Sequence, residues 1–115
     1  MGIMADKDIK GIMAPLLPLA SEIIFTAPAY ERAASPERLA ECASSLGFTN
    51  IHIARTMREA IEMAIERSAP GSFASGEPAR GGQLSALTVI TGSFYTIGEA
   101  KEALGAKGIL SRLRE

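Results

Sequence analysis

Short apolar runs of strand length alternate along this chain with stretches of helical period, and that alternation limits the fold more than any other feature. The runs are Ile23-Ile24-Phe25-Thr26, Ile51-His52-Ile53-Ala54 and Leu87-Thr88-Val89-Ile90-Thr91. Strands separated by helices join as right-handed parallel crossovers, with helices covering both faces of the sheet. Two of the runs, Ile23 to Phe25 and Leu87 to Ile90, are continuously apolar, as strands buried on both faces should be. The expected class is therefore α/β, a mostly parallel sheet. Gly2-Ile3-Met4-Ala5 is too short for a full strand yet feeds directly into a helix. The sheet is thus expected to be truncated at its N-terminal edge, with the chain starting inside a βα unit.

Four helical stretches fill the intervals. The first carries Ile9, Ile12, Met13, Leu16 and Leu17 on one stripe, with Asp6 and Asp8 at the positive end of its dipole. Pro15 and Pro18 each remove a backbone donor, which predicts a kink or an early stop. The second opens at Ser35-Pro36-Glu37, a side-chain cap followed by a residue pre-set for the first helical position. Its stripe is Leu39, Cys42, Ala43 and Leu46, and Gly47 supplies a left-handed exit. Thr56-Met57-Arg58-Glu59 has capping-box form ahead of Met57, Ala60, Ile61, Ala64 and Ile65. The last helix follows Thr91-Gly92-Ser93, with Ile97, Ala100 and Leu104 expected inward. Residues 68–85 are punctuated by Gly and Pro without periodicity and are expected to form a flexible loop inside one domain spanning 1–115. The tail from Gly105 either adds one amphipathic turn or frays.

Composition removes several function classes. Twelve Lys and Arg against thirteen Asp and Glu leave a formal net charge of -1, without the basic excess that nucleic acid or an anionic membrane surface requires. No apolar run approaches the roughly 20 residues of a membrane span. Cys42 is the single cysteine, so no internal disulfide forms, which suits the cytoplasm. His52 has no second His or Cys at ligand spacing, and no metal site is expected. The chain contains neither a GxxxxGK[ST] phosphate loop nor a GxGxxG nor a GxSxG motif.

Ligands of parallel sheets bind beyond the C-terminal ends of the strands. Three loops fall there: Asp6-Lys7-Asp8, Ala27 to Ser35, and Thr91 to Thr96. Gly92 permits close backbone approach, and the amides after it suit a carboxylate or phosphate. Ser93 either adds a hydroxyl to such a site or simply caps the helix. Lys7 is either a point-charge ligand for an anion or a solvated surface lysine. Arg32 either clamps a carboxylate through its fork or pairs with Glu31 or Glu37.

Together these segments resemble a family. Gly2 to Met13, Thr26-Ala27-Pro28 leading to Arg32-Ala33-Ala34-Ser35-Pro36, and Val89 to Tyr95 look like the C-terminal domain of bacterial folylpolyglutamate synthases, many of them also dihydrofolate synthases, in the Mur ligase superfamily. The motifs follow the family's order from Gly2 to about Leu104. The resemblance implies a Rossmann-like domain of an ATP-dependent, Mg²⁺-requiring ligase that adds glutamate to folate or pteroate through an acyl-phosphate. In that family this domain binds the incoming amino acid and closes over an N-terminal ATP-binding domain of the same protein. Lys7 and Ser93 match positions that hold the amino acid, with Thr91 and Gly92 forming the supporting turn. Arg32 matches an arginine contacting the amino acid in one Mur ligase, although Ala29-Tyr30-Glu31 replaces the Asp-Asn-Pro found there.

The phosphate loop, Mg²⁺ ligands and catalytic lysine of the family belong to the N-terminal domain, and its Asp-Gly-Ala-His-Asn motif is not in this sequence. The expectation is an inactive fragment without catalytic residues or bound cofactor. A stand-alone α/β ligand-binding or regulatory module, or an interaction domain on the same scaffold, is the alternative.

Overall fold

The computed structural model describes residues 1–68 and 87–106. Their order is α1 (Ile9–Leu16), a 3₁₀ turn (Leu17–Leu19), β1 (Ile23–Phe25), α2 (Pro36–Ser45), β2 (Ile51–Ile53), α3 (Met57–Ser68) and α4 (Phe94–Ala106). The class is α/β, with β1 and β2 parallel and paired Ile23 to Ile51, Ile24 to His52 and Phe25 to Ile53.

The start of the chain extends this pairing. Met1 donates its amino group to Ile24 O at 2.7 Å, and Met1 O accepts from Thr26 N at 3.0 Å. Bonds to the residues on either side of Phe25 are the signature of a parallel neighbour. On its other side Gly2 makes a parallel bridge with Gly92 and donates to Thr91 O at 3.3 Å. Four parallel segments thus lie in the order 91–92, 1–2, β1, β2, although only the last two are full strands. The short first segment, expected at an edge of the sheet, instead lies inside it with a partner on each side.

The run from Leu87 to Thr91 departs from expectation. It forms no regular strand, and Leu87 and Val89 are 89% and 68% exposed. Its β propensity lacks a partner ladder until Thr91, and propensity without cross-strand packing does not make a strand. Residues 69–86, which hold nearly all of the expected flexible loop, lie outside the described residues, as does the tail beyond Ala106; Ser68 itself closes α3.

Helix boundaries follow local chemistry. Asp8 caps α1 by accepting from Gly11 N at 3.1 Å, and Ser35 caps α2 by accepting from Arg38 N at 3.2 Å with Pro36 beside it. Thr56 accepts from Glu59 N at 3.1 Å, but Glu59 reaches back to Arg55 N rather than to Thr56. Pro15 is tolerated within α1, which gives way to the 3₁₀ turn at Leu17. Gly47 ends α2 at φ +89°.

Alternation along β1 serves two layers. Ile23 and Phe25 join Ile9, Met13 and Leu17 of α1 and its 3₁₀ turn, and Leu39 and Ala43 of α2, in one apolar cluster. Ile24, of opposite parity, faces a cleft shared with Met57, Ala60 and Ile61 of α3. A second, smaller cluster joins Met57 and Ile61 to Ala100 of α4, with Leu104 packed against it. Ile97 and Ile65, expected inward, are 39% and 42% exposed. Ile97 instead borders the cavity described next.

Candidate functional site

The chain leaves each strand end through a loop, and three such loops enclose a cavity of about 480 Å³. The first runs through a turn closed by Lys7 N donating to Met4 O at 3.2 Å, which presents Asp6 and Lys7 just before the Asp8 cap. The second is pinned to the first. Residues 3–5 run antiparallel to 32–34, with Ala5 N donating to Arg32 O at 2.7 Å and Ala34 N to Ile3 O at 2.9 Å. That backbone pairing sets the Arg32 guanidinium against Asp6, at 2.6 Å from Nη2 to Oδ2. The third loop, Thr91 to Ser93, approaches through Gly92.

Lys7, Arg32, Thr91, Gly92 and Ser93 all line this one cavity, together with Asp6 and an apolar wall that includes Ile3, Ile12 and Phe94. Arg32 pairs with Asp6 rather than with Glu31 or Glu37, and Glu37 is taken by Arg55. The hydrogen bond and charge of Arg32 hold the Asp6 carboxyl below its usual range, and Asp6 raises Arg32 in return. Both side chains remain about half exposed, so the pair is open to exchange with a ligand.

Ser93 does the local work of a cap. Thr96 donates its hydroxyl to Gly2 O at 2.8 Å, so the 2.8 Å contact between the two hydroxyls has Ser93 as its donor. Ser93 Oγ also accepts from Thr96 N at 3.1 Å. One acceptor lone pair remains, and no hydrogen is left for a carboxylate. The sequence contained both readings of Ser93, and the capping one describes its contacts here. Thr96 is 1% exposed, and its hydroxyl ties α4 to the first segment.

Two ties had no signal in the sequence. Tyr30 and Tyr95 stack at 4.0 Å between ring centroids and 11° between planes. The interaction between the two phenols lowers Tyr30 and raises Tyr95, and Arg32 lowers Tyr30 further. Beside them Ala29 N donates to Glu99 Oε2 at 2.7 Å. The second loop is thereby strapped to α4 across the cavity mouth.

No holder for ATP or Mg²⁺ is built among the described residues. The sequence lacks a phosphate loop, and among the described residues no group of three or more His, Cys, Asp or Glu forms a metal cage. His52 lies 3.3 Å from Glu22 and Cys42 packs partly buried against the first cluster, so neither joins the cavity. Among the described residues no helix is long and apolar enough to cross a membrane.

Comparison with known proteins gives the same direction as the motifs. No family model matches the chain. The dihydrofolate synthase/folylpolyglutamate synthase of Mycobacterium tuberculosis is 32% identical over 108 residues, covering 91% of this chain and 22% of that protein. The fold of M. tuberculosis folylpolyglutamate synthase complexed with ADP matches 90% of this chain with a TM-score of 0.73 at 30% identity, over 22% of its own length. A second structure of that synthase, complexed with ADP and AMPPCP, matches 55% of this chain at a TM-score of 0.51 and 31% identity, over 14% of its length. The chain spans about a fifth of the curated relative it matches. Sequence and fold agree over nine-tenths of the chain: it is related to a portion of the folylpolyglutamate synthase/dihydrofolate synthase family.

Proposed function

We propose that this chain is the amino-acid-binding, C-terminal domain of an ATP-dependent ligase that adds glutamate to folate or pteroate through an acyl-phosphate. The observation that carries the reading is the convergence of Lys7, Arg32 and the Thr91–Ser93 turn on one cavity. Two cations beside the N-terminus of α4 suit a ligand with two carboxylates. Arg32 offers a planar fork and Lys7 a flexible point charge, so the two differ in the geometry they impose. Gly92 and Thr91 shape the turn, and Ser93 acts by holding the first turn of α4 toward the cavity.

In this reading the domain contributes no catalytic residue. ATP, which the structural relatives bind as ADP or AMPPCP, and Mg²⁺ belong to an N-terminal domain of the same protein, and the ligase works in the cytoplasm. The residues here bind and orient the incoming glutamate so that its amine meets the activated carboxylate. Positioning of this kind converts a bimolecular encounter into an effectively unimolecular one.

Calorimetric titration of the 115-residue protein with L-glutamate tests the reading. Saturable binding that weakens about tenfold or more in Lys7→Ala is expected, since a charge-assisted contact is removed. Absence of binding, or binding indifferent to both Lys7 and Arg32, overturns it.

A further inference from the structure

Three charged side chains line the cavity, Asp6, Lys7 and Arg32, two cations and one anion. Resting on the amino-acid reading above, we propose that Asp6 is a specificity-determining residue: its carboxylate receives the ligand's ammonium while Lys7 and Arg32 receive carboxylates. Glutamate carries two carboxylates and one ammonium, the mirror of this lining. A dicarboxylic acid without the amino group leaves the Asp6 charge facing the cavity unmatched.

Several observations favour Asp6 over other acceptors. It is ionised, held below the usual carboxylate range by Arg32. It is about half exposed and meets Arg32 through Oδ2, so the carboxylate stays accessible to a further donor. The pairing with Arg32 fixes its direction, which a lone surface aspartate lacks. Glu99 lies outside the cavity lining and accepts from Ala29 N, and Asp8 is occupied capping α1. Ser93 adds an acceptor and no donor, because its hydrogen goes to Thr96. A site whose free hydroxyl electrons and single carboxylate both accept is arranged for an ammonium as well as for anions.

Discrimination then comes from the unpaired group left behind when the wrong ligand binds. The test compares L-glutamate with glutarate, the same carbon skeleton without the amine, by titration of the unmodified 115-residue protein and of Asp6→Asn. The unmodified protein is expected to bind glutamate at least about tenfold more tightly. Asp6→Asn is expected to erase that preference, through weaker glutamate binding and equal or tighter glutarate binding as Arg32 is released. A merely structural Asp6 moves both affinities together and leaves their ratio intact. Equal affinities in the unmodified protein, or a preference that persists in Asp6→Asn, overturn the role while leaving a dicarboxylate site standing. If neither compound binds, the amino-acid reading itself falls, and this role with it.

Discussion

Gly92 lies so close to Gly2 that a β-carbon on it would run into the Gly2 carbonyl, and it holds a φ of +130° that L side chains rarely adopt. The approach lets Gly2 N reach Thr91 O and lets the Thr96 hydroxyl reach Gly2 O. It also sets the turn that bounds the cavity. Gly92→Ala is therefore expected to cost about 1–3 kcal/mol from backbone strain alone, with the collision added. A fall in melting temperature of at least about 4 °C follows for a domain of this size. Gly98→Ala is the control. Its β-carbon meets nothing within 4 Å in α4, so helix propensity should stabilise by up to about 1 kcal/mol. Thermal denaturation of both variants gives the answer.

Ser93 and Lys7 line one cavity but should fail in different ways. Ser93→Ala removes the acceptor for Thr96 N and the donor to Thr96 Oγ1, an N-cap loss of about 1 kcal/mol in stability. Lys7→Ala removes an exposed charge and should leave the melting temperature nearly unchanged. In a full-length ligase bearing this domain, Lys7→Ala should raise the KM for glutamate far more than that for ATP, since the lost contact concerns the amino acid only. Steady-state kinetics with melting curves separates the two. A Lys7→Ala enzyme with unchanged glutamate KM contradicts the site.

Nucleotide should not bind the 115-residue protein tightly. Tight ATP binding needs a Gly-rich loop with its Lys and Ser/Thr, and no segment of this sequence supplies one. Titration with Mg-ATP is expected to give no micromolar association. Micromolar affinity would mean a nucleotide module rather than the amino-acid part of a ligase.

The sequence carried the local part of this fold and much less of its long-range part. Asp8, Ser35 and Thr56 cap their helices because a cap needs only the next three residues. Lys7, Arg32 and Ser93 could be placed on one sheet edge because crossovers put such loops there. The partner of Arg32 was out of reach, since Asp6 is 26 residues away and meets it only once residues 3–5 pair with 32–34. The stacking of Tyr30 on Tyr95 has the same origin, and neither ring stands in a periodic pattern. Leu87 to Ile90 misled for the opposite reason. Their composition suits a buried strand, but the ladder that would use it begins at Thr91.

Away from the cavity, Glu22 joins three elements at the opposite end of β1. It precedes β1, accepts from Arg67 Nε of α3 at 2.8 Å and lies 3.3 Å from His52 Nε2 of β2. The hydrogen bond from Arg67 lowers its pKa most, with the Arg67 charge and His52 adding to it against the cost of partial burial. A carboxyl lowered on folding stabilises the fold above its unfolded pKa of about 4.3, and the gain disappears as pH falls through the lower folded value. Glu22→Gln should therefore be less stable than the unmodified protein at pH 7, by about 1 kcal/mol for a partly exposed pair. The gap should narrow steadily below about pH 4 and close once Glu22 is protonated in both states. Glutamate affinity should not change, because Glu22 lies outside the cavity lining. Urea unfolding of both proteins across that pH range checks it, and a stability gap that stays constant into acid shows that the pairing contributes nothing.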